Sequence, residues 1–310
     1  MSSKDNHEVD VATDSCCASC GIAEVDEIKL KNCDDCDLVK YCSDKCQQDH
    51  RPNHERACKQ RAAELRDEIL FRQPEGSHLG DCPICCLPLP LDLTKSTMMS
   101  CCSKVVCKGC VYANCRRELG GRLDFTCPFC RHPFPETKEE GYKINLKRVE
   151  ANDPVAIEEV GRRHCQEGKF DTAFEYLTKA AELGDVNAHY HLVHLYEKGE
   201  GVEKDEKKRL YHLEEAAIAG HPEARFQLAC YEGGRGRCDR MVEHLIISAN
   251  LGHDESIKGM KMLYKEGKVS KEDFASALRA HQAAVNETRS PQREEASKAW
   301  QRQKLREQKK

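Results

Sequence analysis

Cysteine thiols are the side chains of this sequence whose number and spacing most directly imply chemistry. Of 21 cysteines, 18 lie between Cys16 and Cys130, and thiols at this density bind metal ions or form disulfides. The N-terminal segment MSSKDNHEVD has no apolar stretch of the kind that directs secretion. We therefore expect a reducing compartment, the cytosol or the nucleus, and zinc rather than disulfides. The spacing Cys-x-x-Cys, which can place two sulfurs on one metal ion, occurs at Cys17/Cys20, Cys33/Cys36, Cys82/Cys85, Cys107/Cys110 and Cys127/Cys130.

The first cysteine cluster combines seven thiols with one imidazole in four pairs. The pairs are Cys17/Cys20, Cys33/Cys36, Cys42/Cys46 and His54/Cys58. Eight ligands fill two tetrahedral zinc sites and leave no open position for a catalytic water. Because so short a segment cannot bury enough apolar surface to fold alone, zinc is expected to replace a core, at about 10–16 kcal/mol of apparent binding free energy per site.

The run YCSDKCQQDHRPNHERAC within this cluster resembles a MYND finger. The resemblance implies interleaved sites and a module that grips short proline-containing peptides. Cys16 competes with Cys17 for the first ligand position, Arg51 stands where the family usually has tryptophan, and His50 is expected at the surface. The implied ligand sets are Cys17, Cys20, Cys42 and Cys46 for one zinc, and Cys33, Cys36, His54 and Cys58 for the other.

The second cluster again supplies eight thiols, and it resembles a RING finger through CPIC at its start and CPFCR at its end. Common RING fingers have Cys-x-His in the centre, where this sequence has Cys102-Ser-Lys104. Since a lysine ammonium has no lone pair for a metal, the adjacent Cys101 is expected to substitute, with Cys86 and Cys115 as ordinary thiols. The resemblance implies that Cys82, Cys85, Cys107 and Cys110 hold one zinc, and Cys101, Cys102, Cys127 and Cys130 the other.

The RING resemblance also implies partner-binding residues. In RING-type ubiquitin-protein ligases, the positions of Ile84 and Pro128 contact a ubiquitin-conjugating enzyme, and the position of Arg131 contacts ubiquitin. Catalysis would then be positional, because the finger holds the charged conjugating enzyme in a reactive pose. The alternative is that Ile84 and Pro128 are local core and turn residues of a finger kept for scaffolding.

Helical repeats follow the fingers. Segments beginning at Ala180, Ala216 and Ser248 align, and their landmark residues Gly184, Gly220 and Gly252 are 36 and 32 residues apart. Each glycine follows a helix, as a left-handed C-cap requires. The pattern from Ala173 to Val202 resembles Sel-one-like repeats, relatives of the tetratricopeptide repeat, which present a concave surface to a partner.

The sequence thus predicts small zinc-stabilised α+β fingers followed by an all-α helical-repeat solenoid. Ser270 is expected to cap a final helix that seals the repeats. The predicted ranges are a disordered N-terminus (1–15), a MYND-type finger (16–58), a helical connector (59–76), a RING-like finger (77–135), the repeats (150–286) and a basic tail (287–310), the last expected to be a frayed, solvated helix.

Composition excludes several classes of function. A net charge of -4 argues against non-specific nucleic-acid binding, and no apolar run is long enough to span a membrane. No nucleotide fingerprint or catalytic triad can be assembled. Two hypotheses remain: a RING-type ubiquitin ligase with about four zinc ions, or a non-catalytic adaptor that binds proteins. The combination of modules resembles zinc-finger and Sel-one-like repeat proteins abundant in diatoms.

Overall fold

The computed structural model describes residues 16–307, which fall into two compact units divided between Arg72 and Gln73. The predicted disordered segment 1–15 lies outside the described residues. All 21 cysteines lie within them, and none forms a disulfide. Among the described helices, none is long and apolar enough to cross a membrane.

The first unit is built around short strands and one long helix. Strands β1 (Lys31–Asn32) and β2 (Lys40–Tyr41) pair antiparallel. Helix α1 (Asp44–Leu70) begins after Ser43, whose hydroxyl accepts a hydrogen bond from the Cys46 amide at 3.3 Å. The small core of this finger consists of Cys17, Cys33, Cys36 and Tyr41.

The predicted connector helix over 59–76 needs correction. Helix α1 starts inside the finger and continues without a break to Leu70, so the finger and the connector share one helix of 27 residues. Its first part carries zinc-ligand candidates, and its later turns carry ion pairs such as Arg61 with Glu64 and Glu68. Ion pairs between residues three or four apart, such as Arg61 with Glu64 and Lys59 with Glu55, support this long helix.

The second unit begins with the other finger. Strands β3 (Ser96–Met99) and β4 (Lys104–Cys107) form an antiparallel hairpin, with Ser96 opposite Cys107 and Met99 opposite Lys104. Helix α2 (Lys108–Gly121) follows directly. Leu89, Met99 and Val106 add a true apolar core to the buried cysteines.

Ten helices follow in the described part of this unit. Helix α3 joins the finger to the repeats in a segment to which the sequence assigned no element. The ten helices are α3 (Lys138–Glu150), α4 (Pro154–Gln166), α5 (Phe170–Glu182), α6 (Val186–Lys198), α7 (Glu206–Ile218), α8 (Pro222–Gly234), α9 (Cys238–Asn250), α10 (Asp254–Lys265), α11 (Lys271–Glu287) and α12 (Pro291–Glu307).

Helices α4 to α11 form the predicted solenoid. Neighbouring helices pack in sequence order, α4 with α5, α5 with α6, and so on to α10 with α11. Gly184, Gly220 and Gly252 have φ of 88°, 84° and 88°, the left-handed geometry predicted for C-caps. Ser270 caps α11 by accepting a hydrogen bond from the Asp273 amide at 3.0 Å. The all-α helical-repeat solenoid is therefore confirmed.

The prediction of a solvated basic tail is wrong for its described part. Helix α12 packs against α2 of the second finger. Ala296 is 1% exposed and Arg293 is 9% exposed. The helix packs because one side of it carries small and apolar groups at helical spacing, while its remaining residues supply the charge that suggested a tail.

Candidate metal centres

The structure brings together the four predicted ligand sets. In each set, the four ligand atoms lie within 4.8 Å of one another, and each set is able to bind a zinc ion. Cys17 belongs to a set and Cys16 does not, whereas both Cys101 and Cys102 belong to one. The four sets are Cys17, Cys20, Cys42 and Cys46; Cys33, Cys36, His54 and Cys58; Cys82, Cys85, Cys107 and Cys110; and Cys101, Cys102, Cys127 and Cys130.

The distances within the sets fit tetrahedral zinc. A Zn–S bond of about 2.3 Å in a tetrahedron separates two sulfurs by roughly 3.8 Å. The sulfurs of Cys33 and Cys58 are 3.8 Å apart, and those of Cys85 and Cys107 are also 3.8 Å apart. His54 Nε2 lies 3.2 Å from the Cys36 sulfur. The donor atoms are thus already spaced as a four-coordinate ion requires.

A recurring backbone turn positions the Cys-x-x-Cys pairs. In four of them, the residue after the second cysteine donates its amide to the carbonyl of the first, at 2.8 to 3.2 Å. That residue is left-handed in every case: Gly21, Asp37, Cys86 and Arg131 have φ of 75°, 56°, 52° and 64°. Non-glycine residues adopt this geometry at a cost of about 1 kcal/mol, so the turn is held by its surroundings. Cys86 therefore has a backbone role.

One thiol in each of three sets is easier to ionise than an ordinary cysteine. Burial raises the pKa of Cys17, but backbone hydrogen bonds from Cys20 and Cys42 outweigh it and set the pKa at about 6. Hydrogen bonds from Cys107 hold the pKa of Cys82 at about 4. Burial raises the pKa of Cys130, but hydrogen bonds from His132 and Cys101 lower it to about 7. These thiolates are ready to bind a metal near neutral pH.

An aromatic stack supports the histidine ligand candidate. His54 is 8% exposed and stacks on His50 at a centroid distance of 5.6 Å. His50 Nδ1 lies 3.0 Å from the hydroxyl of Tyr41. His50, expected at the surface, is therefore half-buried and orients the ring of His54. Burial lowers the pKa of His54, which favours the neutral imidazole that a metal needs.

A polar network holds the Cys127–Cys130 turn of the second finger against α2. Glu118, 2% exposed, accepts hydrogen bonds from the hydroxyl and amide of Thr126 at 2.6 and 3.3 Å. Asn114 donates to the Thr126 carbonyl at 3.0 Å and accepts from the Arg131 guanidinium at 2.7 Å. The network ties the turn before Cys127 to the helix that carries Cys110.

The three predicted partner-binding residues have different surroundings. Ile84 is 40% exposed, between two ligand candidates. Pro128 is buried within the finger, and Arg131 is exposed while donating to Asn114. Their role toward a conjugating enzyme stays a prediction. The geometry provides one accessible apolar residue and one cation that already has an intramolecular partner.

Sequence reasoning missed the residues of α12 that contact the second finger. Gln292 donates to the Gly109 carbonyl at 3.1 Å, and Arg293 donates to the Cys85 sulfur at 3.3 Å. The available signal was Ser290-Pro291, a helix start in which the Ser290 hydroxyl accepts from the Arg293 amide at 3.2 Å. The period linking Arg293, Ala296 and Trp300 also marks one helix face.

Comparisons with known proteins support the first finger directly. Residues 17–58 match the family model of the MYND finger. No curated protein matches the chain. A Sel1 repeat protein from Oxalobacter formigenes is 22% identical with a TM-score of 0.42, covering 57% of this chain and 74% of its own. A protective antigen of uropathogenic Escherichia coli with an SLR fold is 22% identical with a TM-score of 0.39, covering 55% of this chain and 36% of its own. The solenoid is defined by the packing of α4 to α11 in sequence order.

Proposed function

We propose that this protein is a zinc-dependent protein-interaction adaptor. The sixteen residues of the four ligand sets would bind four zinc ions, two in each finger. The observation that carries the proposal is that each set offers four protein ligands, which is enough to fill the coordination sphere of a tetrahedral zinc ion. Such sites are structural, because no coordination position remains for substrate or an activated water. The fingers then act as binding modules, and the solenoid adds an extended surface for a protein partner.

The first finger offers a specific place for a peptide. A cleft of about 360 Å³ lies beside the ligand set that contains Cys33, His54 and Cys58. The amide of Gln47 lies at the wall and suits a peptide carbonyl, while Tyr41, 2% exposed, lies beneath the cleft. The preference for proline is what the match to the MYND finger implies. Four carboxylates and two cations line the same cleft, namely Asp34, Asp35, Asp44, Glu55, Arg51 and Lys59. A proline-containing peptide that also carries a basic residue is therefore the proposed ligand.

Peptide titration tests this function. Fluorescence polarisation would compare proline-containing peptides with and without a neighbouring arginine, using zinc-loaded full-length protein. Gln47→Ala should weaken binding about fivefold, the effect of one hydrogen bond. Gln60→Ala, on the same helix and outside the cleft, should bind as the wild type does. Equal affinities for both variants, or no binding of either peptide class, would contradict the proposal.

A RING-type ubiquitin ligase is the second candidate function, and exposed Ile84 favours it. The finger would hold a ubiquitin-conjugating enzyme by this side chain and orient its thioester by proximity. Arg131 would have to exchange its bond with Asn114 for one with ubiquitin. The buried position of Pro128 means that this residue would support the contact loop from within.

A ubiquitin-discharge assay with a panel of conjugating enzymes distinguishes the two functions. Ile84→Ala removes the exposed apolar contact, and Arg131→Gly removes the cation while suiting the left-handed φ of 64°. Discharge that falls at least tenfold in both variants, with the zinc content unchanged, would support a ligase. Absence of discharge from the fully zinc-loaded protein leaves the adaptor function.

A further inference from the structure

Helix α12 inserts a cation into the second finger. Arg293 is 9% exposed, and the polar partners of its guanidinium are backbone oxygens and one sulfur. The donors reach the carbonyls of Pro88 and Thr288 at 2.7 Å, the carbonyl of Leu87 at 3.1 Å and the sulfur of Cys85 at 3.3 Å. In the described part of the chain, no carboxylate lies within ion-pair distance of it.

A buried guanidinium requires a nearby negative charge. Removing such a cation from water is costly unless it is paired and hydrogen-bonded. Four thiolates around Zn²⁺ carry a net charge of −2, and the set that contains Cys85 is composed of cysteines only. The carbonyls that accept from Arg293 carry no net charge, whereas a zinc–thiolate centre would supply a negative charge beside it.

We propose that Arg293 is a positioning residue of the zinc site formed by Cys82, Cys85, Cys107 and Cys110. It donates an N–H···S hydrogen bond to the sulfur of Cys85 and places its positive charge beside the cysteine set. Helix α12 thereby supports a zinc site one of whose ligands, Cys85, lies 208 residues earlier in the chain. This inference rests on the proposed zinc ligation by that cysteine set.

The neighbouring contacts show a site built for this approach. A Cβ on Gly109 would meet the Cγ, Cα and N of Arg293 at 2.9, 3.0 and 3.1 Å, so only glycine between Cys107 and Cys110 lets the helices come this close. Gln292 adds a donor 3.8 Å from the Cys110 sulfur. Two residues of α12 thus direct N–H groups at two thiolates of one set.

Zinc-release kinetics test the proposal on the full-length protein. The total zinc of each variant is measured first, and then a chromophoric chelator reports the rate at which the ions leave. In Arg293→Gln, one of about four zinc ions should leave roughly 10- to 100-fold faster than in the wild type. Arg293→Lys, which keeps the charge, should fall between them. Arg302→Gln, an exposed arginine on the same helix, is the matched control.

Two further readouts separate ligand support from simple packing. Trp300, the only tryptophan, lies 6.1 Å from the Tyr112 ring of the finger, so its fluorescence reports whether α12 is docked. In the cobalt-substituted protein, loss of an N–H···S bond should shift the thiolate charge-transfer band to lower energy. Faster release with the band shifted and Trp300 still docked supports the proposal.

Two results would overturn it. Unchanged release rates in Arg293→Gln would assign the residue to packing, whether or not Trp300 stays docked. Faster release accompanied by undocking and an unshifted band would assign the effect to loss of the helix. Failure of the zinc proposal itself looks different, because the wild-type protein would then contain too few ions.

Discussion

The two fingers use the same number of ligands but obtain their stability differently. The first finger has an apolar core limited to three cysteines and Tyr41. The second has Leu89, Met99 and Val106 beneath its metal sites, and α12 packs on its helix. We therefore expect the first finger to depend mainly on zinc, whereas the second combines zinc with ordinary packing. Similar ligand spacing therefore does not determine how each finger is stabilised within the chain.

Zinc removal should produce the largest effect. Each structural zinc contributes on the order of 10 kcal/mol in a small domain, and little else holds the first finger. Chelation should bring amides in 31–41 to the exchange rate of an unstructured chain, while amides in 104–121 keep measurable protection. Hydrogen exchange with mass spectrometry measures both segments together. Loss of protection in both segments at one chelator concentration would contradict the comparison.

Undocking α12 should produce an intermediate effect on the second unit. Ala296→Glu places a carboxylate at a position that is 1% exposed, at a cost of about 2–3 kcal/mol. Urea unfolding followed at Trp300 should show this loss, while exchange in 31–41 stays unchanged. Gln301→Glu adds the same charge at an exposed position and should cost less than about 0.5 kcal/mol. Equal effects of the two variants would show that α12 does not pack as described.

Acidification should produce a smaller effect at the segment that leads into the second finger. His78 stacks on His221 at a centroid distance of 4.2 Å, and its Nε2 lies 3.1 Å from Asn187 Oδ1. Burial lowers the pKa of His78 to about 4. Because this value lies below that of an unfolded histidine, its contribution is complete above about pH 6.5 and falls as the pH drops toward 4.

The measurement compares wild type with His78→Phe, which retains a stacking ring without a titrating group. Between pH 7.5 and 5.5 the wild type should lose about 1 kcal/mol more than the variant. Both proteins share the zinc sites, so proton competition at the metals cancels in the difference. A parallel decline of the two stability curves would show that His78 does not contribute to the pH dependence of stability.

Local patterns in the sequence predicted much of the fold and of the candidate centres. Cys-x-x-Cys spacing depends on a few neighbouring residues, so the pairs could be found in the sequence. The resemblance to MYND and RING fingers then implied how the pairs combine into four sets. The repeat period could be derived because each C-cap needs a left-handed residue such as Gly184. Cys86 was predicted to be an ordinary thiol, but its left-handed turn was not predicted.

Contacts between distant segments could not be predicted. Nothing near Arg293 in the sequence indicates that its partner is Cys85, 208 residues away. The hydrogen bond from Arg131 to Asn114 likewise depends on how α2 packs against the Cys127–Cys130 turn. The continuity of α1 from the finger into the connector was also not predicted, and Pro52 lies within this helix. Such features arise from tertiary packing, which one sequence does not specify.

Zinc stoichiometry distinguishes a chain with four occupied sites from one in which a finger binds no metal. Native mass spectrometry of the full-length protein should find four zinc ions per chain, with thiol reagents reaching only cysteines outside the four sets. Those residues are Cys16, Cys86, Cys115, Cys165, Cys230 and Cys238. Two ions per chain, with the thiols of one finger reactive in the native protein, would contradict the account.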